Sequence, residues 1–113
     1  MDCLFCKIAK GEIPAKEVYQ DDEIFAFEDI NPQAPVHILI IPKQHIEKIT
    51  DLEPEHAELI GKLSLIAKKI AQDKGIDKNG FRLVFNCEKD AGQVVFHIHL
   101  HLLGGRKFTW PPG

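Results

Sequence analysis

The stretch His97-Ile98-His99-Leu100-His101-Leu102-Leu103 alternates polar and apolar residues with a period of two, which is the repeat of a β-strand. It predicts that His97, His99 and His101 share one face while Ile98, Leu100 and Leu102 turn into a core. Same-face neighbours on a strand lie ~6.5–7 Å apart, so His97 and His101 are expected roughly 13 Å from one another at Cα. Three imidazoles spread that far are ill placed to grip one ion, and buried without partners they would be costly. The pattern suits a row of catalytic groups along an extended polar substrate, with His97 and His101 flanking His99 as the natural attacker. The alternative is a set of histidines satisfied at the surface or in the core.

Working outward, residues 94–103 form the last expected strand and residues 81–86 the one before it, joined by a polar loop over 87–92. Ahead of them a long helix is expected over 55–74. There Ile60, Leu63, Ala67, Ile70 and Ala71 recur at helical spacing, opposite Lys62, Lys68, Lys69 and Asp73, and Gly75 stops the run. The apolar, branched residues 36–41 fit a central strand closed by Pro42, and one helical turn is expected over 45–50. Asn31-Pro32-Gln33-Ala34-Pro35 is a loop, because proline removes the ladder donor twice. Residues 24–28 and 16–20 read as two strands around an Asp21-Asp22 turn. A short helix over 4–10 ends at Gly11, with Pro14 beyond. The sum is an α+β domain, a five-stranded antiparallel sheet with a long helix and a short N-terminal helix, the helices on one side.

Size and composition set bounds. The chain has 113 residues, 44% of them hydrophobic and 27% charged, with a formal charge of −3. One domain over residues 1–113 is expected, large enough for a core and small enough that a dimer would help. Its basic residues are dispersed, so no footprint for long nucleic acids is expected. No stretch approaches the ~20 apolar residues that span a bilayer, and Met1-Asp2-Cys3-Leu4-Phe5-Cys6 does not read as a signal peptide. A cytoplasmic location follows, where three cysteines serve as thiols or metal ligands before disulfides. Cys87 and His56 read as loop and solvent-facing positions without partners.

The loop before the histidines completes the chemistry. Gly92 permits close backbone approach, so the N–H groups of Gly92, Gln93 and Val94 can face a bound anion. An anion beside a neutral imidazole is the arrangement for nucleophilic attack at phosphorus. His99 would attack through one ring nitrogen while the other donates to a carbonyl. His101, one strand step on, would orient a phosphate oxygen or protonate the leaving group. Cys3-Leu4-Phe5-Cys6 is separately a Cys-x2-Cys pair with the bite of a tetrahedral zinc site, although alone it is half a site. The alternative is a reduced cysteine pair in the first helix, with His45 capping the short helix after it.

The His-φ-His-φ-His-φ-φ run near the end of a chain this size resembles the histidine triad family of nucleotidyl hydrolases and transferases. Asp29-Ile30-Asn31-Pro32-Gln33-Ala34-Pro35-Val36-His37 and Ile41-Pro42-Lys43-Gln44-His45 are similar to its second signature and continuation. The ending Gly104-Gly105-Arg106-Lys107-Phe108-Thr109-Trp110-Pro111-Pro112-Gly113 resembles the Hint branch, the purine nucleoside phosphoramidases.

That resemblance implies a nucleoside monophosphate pocket. Asp29 would take the ribose hydroxyls, where the residues alone equally allow a turn-forming role before Asn31-Pro32. Phe5, Ile8, Ile13, Phe27 and Ile30 would enclose the purine, where the residues alone favour plain core packing. Asn86, the Gly92 and Val94 amides, His99 and His101 would surround the phosphate, with His37 in support. Cys3, Cys6, His45 and His97 would hold a structural zinc, and no catalytic metal is implied. A homodimer is implied, with Trp110 reaching the partner's pocket; a disordered tail is the rival reading. Hint-like chains usually carry serine where this one has Val94. Loss of that hydroxyl implies a cost of roughly 1–3 kcal/mol in the transition state. The implied activity is hydrolysis of purine nucleoside 5′-phosphoramidates, or of acyl adenylates, through a nucleotidyl-His99 intermediate. Dinucleoside polyphosphate hydrolysis and a non-catalytic nucleotide- and zinc-binding interaction module are the alternatives.

Overall fold

A computed structural model of the chain describes residues 3–113; positions 1 and 2 of the expected domain lie outside the described residues. The element order is α1 (Leu4–Ala9), β1 (Glu17–Gln20), β2 (Ile24–Glu28), β3 (Val36–Pro42), α2 (Ala57–Asp73), β4 (Phe81–Phe85) and β5 (Leu100–Gly104). Three 3-10 turns lie at Ile49–Asp51, Pro54–His56 and Lys89–Ala91. The strands form a five-stranded sheet in the order β1-β2-β3-β5-β4, and each neighbouring pair is antiparallel. The α+β architecture expected from the periodicities is therefore the one observed.

The sheet is buried on both faces, and strand alternation decides what each face meets. Even-numbered positions Ile24, Ala26, Ile38, Ile40, Leu100 and Leu102 pack with Leu63, Ile66, Ala67, Ile70 and Ala71 of α2. Odd-numbered Phe25, Phe27, Leu39 and Ile41 pack with Phe5 and Ile8 of α1. The two helices thus lie on opposite faces, not on one side as expected. The physical reason is in β2 and β3, whose residues are apolar at odd and even positions alike, so each face needs a cover. Full burial of a side chain such as Leu63 contributes about 1.5–3 kcal/mol relative to exposure, and α2 supplies five buried apolar residues.

The 3-10 turn at Pro54–His56, which leads directly into α2, is closed by a capping box. The Glu53 side chain accepts from the His56 backbone, and His56 Nδ1 accepts from the Glu53 N–H at 2.9 Å. His56 therefore has a partner that its spacing did not disclose.

The last strand begins later than its alternation predicts, at Leu100 and not at residue 94. Ladder pairing with β3 runs from Val36↔Gly104 to Ile40↔Leu100. Beyond it the Ile98 N–H leaves the ladder and donates to Ile46 O at 2.7 Å. The Gln93 amide donates to Glu47 O (2.9 Å) and to Val95 O (3.2 Å), drawing the segment toward residues 45–48. The single row of three histidines along one strand therefore does not form. His97 and His99 precede the strand, and His101 alone sits within it.

Candidate active site and metal centre

His37 and Leu39 of β3 and His101 of β5 stand on the α1 face, where antiparallel pairing sets Leu39 opposite His101 and His37 opposite Leu103. His37 is thus the diagonal neighbour of His101, close enough for two long side chains to meet. The His99 and His101 ring centroids are 5.0 Å apart and those of His37 and His101 5.2 Å. From α1, Phe5 meets His99 edge-on at 5.1 Å and His97 at 6.1 Å.

His97 is fully buried and belongs to a different group. Cys3 caps α1 and accepts from the Cys6 N–H, so the first helical turn brings both thiols to one side. His97 Nδ1 lies 3.3 Å from Cys3 Sγ, 3.4 Å from Cys6 Sγ and 3.2 Å from His45 Nδ1. Cys6 Sγ is 3.4 Å from His45 Nδ1. Bond lengths for zinc with sulfur and nitrogen imply a tetrahedron with edges of roughly 3.3–3.8 Å, close to these separations. The protonation pattern also fits a cation. The Pro42 carbonyl, 2.7 Å from His97 Nε2, can only accept, so the proton sits on Nε2 and Nδ1 presents a lone pair to the cluster. Burial, then the Cys3 thiol, pushes the Cys6 thiol up to about 11; a divalent cation between the sulfurs would reverse that preference. The four residues form a group that can hold a metal ion.

The second group contains Asp29, His37 and His101, and its proton pattern is the opposite. The Gln33 N–H donates to His37 Nδ1 at 3.0 Å. Because Nδ1 accepts, a neutral His37 must carry its proton on Nε2, which donates to His101 Nδ1 at 2.9 Å. His101 in turn must carry its proton on Nε2. Beside it, His99 Nδ1–H donates to the His97 carbonyl at 2.8 Å, which leaves its Nε2 lone pair free. Burial holds His37 and His99 below the ordinary imidazole value. Burial and the neighbouring His99 and His37 rings hold His101 at about 4.

The His99 and His101 rings open onto a cavity of about 320 Å³, within the range of small-molecule sites, with His37 behind them. It is lined by Phe5, Ile8, Phe27, Asp29, Ile30, Asn86, Gly92, Val94, His99 and His101 among the expected residues. Leu4, Leu39 and Val95 line it too and were not anticipated. Leu39 alternates with His37 on β3, but its place in the wall depends on strand pairing. Three expected residues lie elsewhere. Ile13 packs against the cluster of Phe5, Ile8 and Phe25 and lines a separate cleft with Pro14 and Phe25, because the chain turns at Gly11 (φ +78) before reaching it. Gln93 is buried, with its side chain bonded to Glu88, Glu47 and Val95 and its N–H to Glu88 O, so it holds the loop and has no donor left for a ligand. Trp110 is 83% exposed. Its tail is nevertheless held, because Arg82 donates to Thr109 O at 3.0 Å and Phe108 packs against Arg82 and Arg106.

For Asp29, the turn-forming role is the one seen in the fold, and the residue also lines the cavity. One carboxylate oxygen accepts from the Asn31 N–H at 2.8 Å, closing the turn, and the other lies 3.5 Å from His37 Nε2. Val94, in the position of the missing hydroxyl, is 86% exposed at the cavity mouth.

Comparisons with known proteins agree with this geometry. A model of the HIT domain matches residues 10–108. An uncharacterised HIT-like protein of Synechocystis is 54% identical over 112 residues, covering 99% of this chain and 97% of its own. The purine nucleoside phosphoramidase of Escherichia coli K12 is 50% identical over 105 residues, covering 93% and 88%. A HIT family hydrolase from Legionella pneumophila superposes with a TM-score of 0.98 at 58% identity, over 99% of this chain and 100% of its own. A histidine triad protein from Clostridium difficile superposes at 0.94 with 47% identity, over 96% and 95%. With the imidazoles, the cavity and the sheet order all in place, the chain belongs to the HIT domain family.

Proposed function

We propose that this protein is a single-domain hydrolase of purine nucleoside 5′-phosphoramidates, with His99 as nucleophile. The observation that carries the reading is the His99 Nδ1–H bond to the His97 carbonyl. It fixes the tautomer whose other nitrogen can attack, in a cavity that also holds a carboxylate and a second imidazole. Asp29 binds the ribose, and Phe5, Ile8, Phe27 and Ile30 enclose the base.

In the reaction, His99 Nε2 forms a bond to phosphorus as the P–N bond breaks, and the departing nitrogen takes one proton from solvent at the open cavity mouth and leaves as an amine, a proton that the later attack of water gives back. Water then cleaves the nucleotidyl-histidine, restoring the imidazole and releasing the nucleoside monophosphate. The His101 Nε2–H and the Val94 N–H stabilise charge on the phosphoryl oxygens, whereas the Gly92 and Gln93 N–H groups, expected to share that task, are taken by Lys89 O and Glu88 O. The relative from Escherichia coli named a purine nucleoside phosphoramidase supports the substrate class.

Zinc held by Cys3, Cys6, His45 and His97 is structural in this proposal, and His97 acts by its carbonyl alone. A zinc so placed ties the N-terminal segment to the sheet. The protein acts as a homodimer, with the exposed Trp110 of each tail packing against its partner. A reducing cytoplasmic setting fits three free thiols, and among the described residues no helix is long and apolar enough to cross a membrane.

The test is turnover of an adenosine or guanosine phosphoramidate, with the nucleotidyl adduct trapped by acid quench and located by mass spectrometry. An adduct on His99 is expected. A slower rate on the phosphoramidate than on a dinucleoside polyphosphate would change the substrate class, and nucleotide binding without any turnover would leave only a binding module.

A further inference from the structure

The C-terminal tail is fastened to the loop that sets the second histidine cluster. Gly105 adopts φ +89, and a Cβ placed there would lie 2.9 Å from Pro35 Cβ, so the tail starts in direct contact with the 31–35 loop. The next residue reaches further in. Arg106 Nε donates to Gln33 O at 3.1 Å and its Nη1 to Lys107 O at 3.1 Å, with the guanidinium 4.3 Å from the Phe108 ring centroid. Gln33 is the residue whose N–H donates to His37 Nδ1. Its N–H is thus held by the cluster and its carbonyl by Arg106, while its own side chain only bonds back to Asn31 O.

We infer that Arg106 is a positioning residue for His101, acting through the Gln33 backbone and His37. The inference rests on the proposed role of His101 as a donor to the phosphoryl group. With the Gln33 carbonyl held, its N–H stays on His37 Nδ1, and the proton of His37 stays on Nε2. Were that N–H to swing away, His37 would be free to place its proton on Nδ1 and turn a bare Nε2 toward His101. His101 would then move its proton to Nδ1, and the nitrogen facing the phosphate would change from donor to acceptor. Two tautomers change together, and an acceptor beside an anion repels it. No side chain of the tail needs to touch the substrate for this. The planar guanidinium suits the task because it stacks on Phe108 while its edge donates in a fixed direction.

The experiment combines imidazole nitrogen NMR of the full-length protein with steady-state kinetics on an adenosine phosphoramidate, for the wild type, Arg106→Ala and Arg106→Lys. In the wild type, His37 and His101 are expected as single Nε2–H tautomers. In Arg106→Ala both should show mixed tautomers, with kcat about tenfold lower and KM within about twofold. Arg106→Lys, which keeps a donor without the planar fork, should recover part of both signals. Lys107→Ala, on the exposed neighbouring position, should change neither. Wild-type tautomers in Arg106→Ala would overturn the inference, whatever happens to kcat. If His99-dependent turnover is present and Arg106→Ala matches the wild type in both measurements, the positioning role alone fails. If the tautomers shift but no form of the protein turns over substrate, the hydrolase reading fails and the Arg106 linkage stands.

Discussion

The cluster of Cys3, Cys6, His45 and His97 and the cluster of Asp29, His37 and His101 draw on similar donors at similar separations. Beyond two thiols in the first and a carboxylate in the second, one backbone group at each sets their imidazoles apart. At His97 a carbonyl, Pro42 O, faces the ring nitrogen remote from the cluster, so the near nitrogen is bare and ready for a cation. At His37 an amide, Gln33 N–H, faces the remote nitrogen, so the near one carries a proton and points it at His101. A neutral imidazole has one proton to place, and the backbone decides where. His99 joins the two regions, since its own proton goes to the carbonyl of His97. Side-chain identity alone would have marked both as metal sites.

The largest effect is expected at His99, where the two clusters meet. His99→Ala should lower phosphoramidate turnover by about 10⁴-fold or more, with nucleotide binding by calorimetry retained and both clusters intact. Residual activity near the wild type would remove His99 as nucleophile.

Next in size is metal loss. Cys6→Ala, or a chelator acting on the wild type, should release one zinc per chain and cost ~3 kcal/mol or more, roughly 10 °C or more in Tm. Emission from the metal and calorimetric melting read this out. The same change at the other cluster should behave differently. His37→Asn should keep the zinc and most of the Tm while kcat falls about 10²-fold, the range for a lost transition-state donor. A zinc-free His37→Asn protein would mean that the two regions are not separate.

Acidification should also tell them apart. In the folded chain burial holds His37 below the usual value, and burial with its two neighbouring rings holds His101 at about 4. In the unfolded chain both take protons near ~6.5. Between those values the unfolded chain binds more protons, so the stability these rings contribute is complete above ~6.5 and lost as pH falls, His101's share being gone by about 4. Melting curves from pH 7 to 4 should therefore slope less steeply in His101→Gln than in the wild type. An equal slope would place the proton uptake elsewhere. The smallest effect belongs to the cavity mouth, where Val94→Ser should raise kcat about fivefold, the low end for one added hydrogen bond at an exposed position. A fall in kcat would show that the valine methyls hold the leaving group.

Much of the fold was readable in advance because its signals are local. The burial of Leu63, Ala67, Ile70 and Ala71 follows from helical spacing, and that of Ile98, Leu100 and Leu102 from alternation. Where local signals misled, a long-range contact had outweighed them. Alternation from residue 94 onward promised a ladder, but Ile46 O and the Gln93 side chain took the segment away from it. Gln93 stood among the expected ligand contacts because it adjoins Gly92, and nothing in its neighbours along the chain discloses that Glu47 and Glu88 use up its amide. The cavity shows the same division. Its aromatic and carboxylate members carried recognisable motifs, whereas Leu39 and Val95 enter only through strand pairing and the bend at residues 95–97.

The order of residues by itself determined the strands, the long helix, the family resemblance and the inventory of thiols, imidazoles and carboxylates. Tertiary structure decided which of them meet: Cys6 with a ring 91 residues away and His37 with one 64 residues away. It also decided which nitrogen of each ring is bare. Periodicity is written into neighbouring side chains, but a tautomer depends on a carbonyl or an amide that only the folded backbone brings within reach.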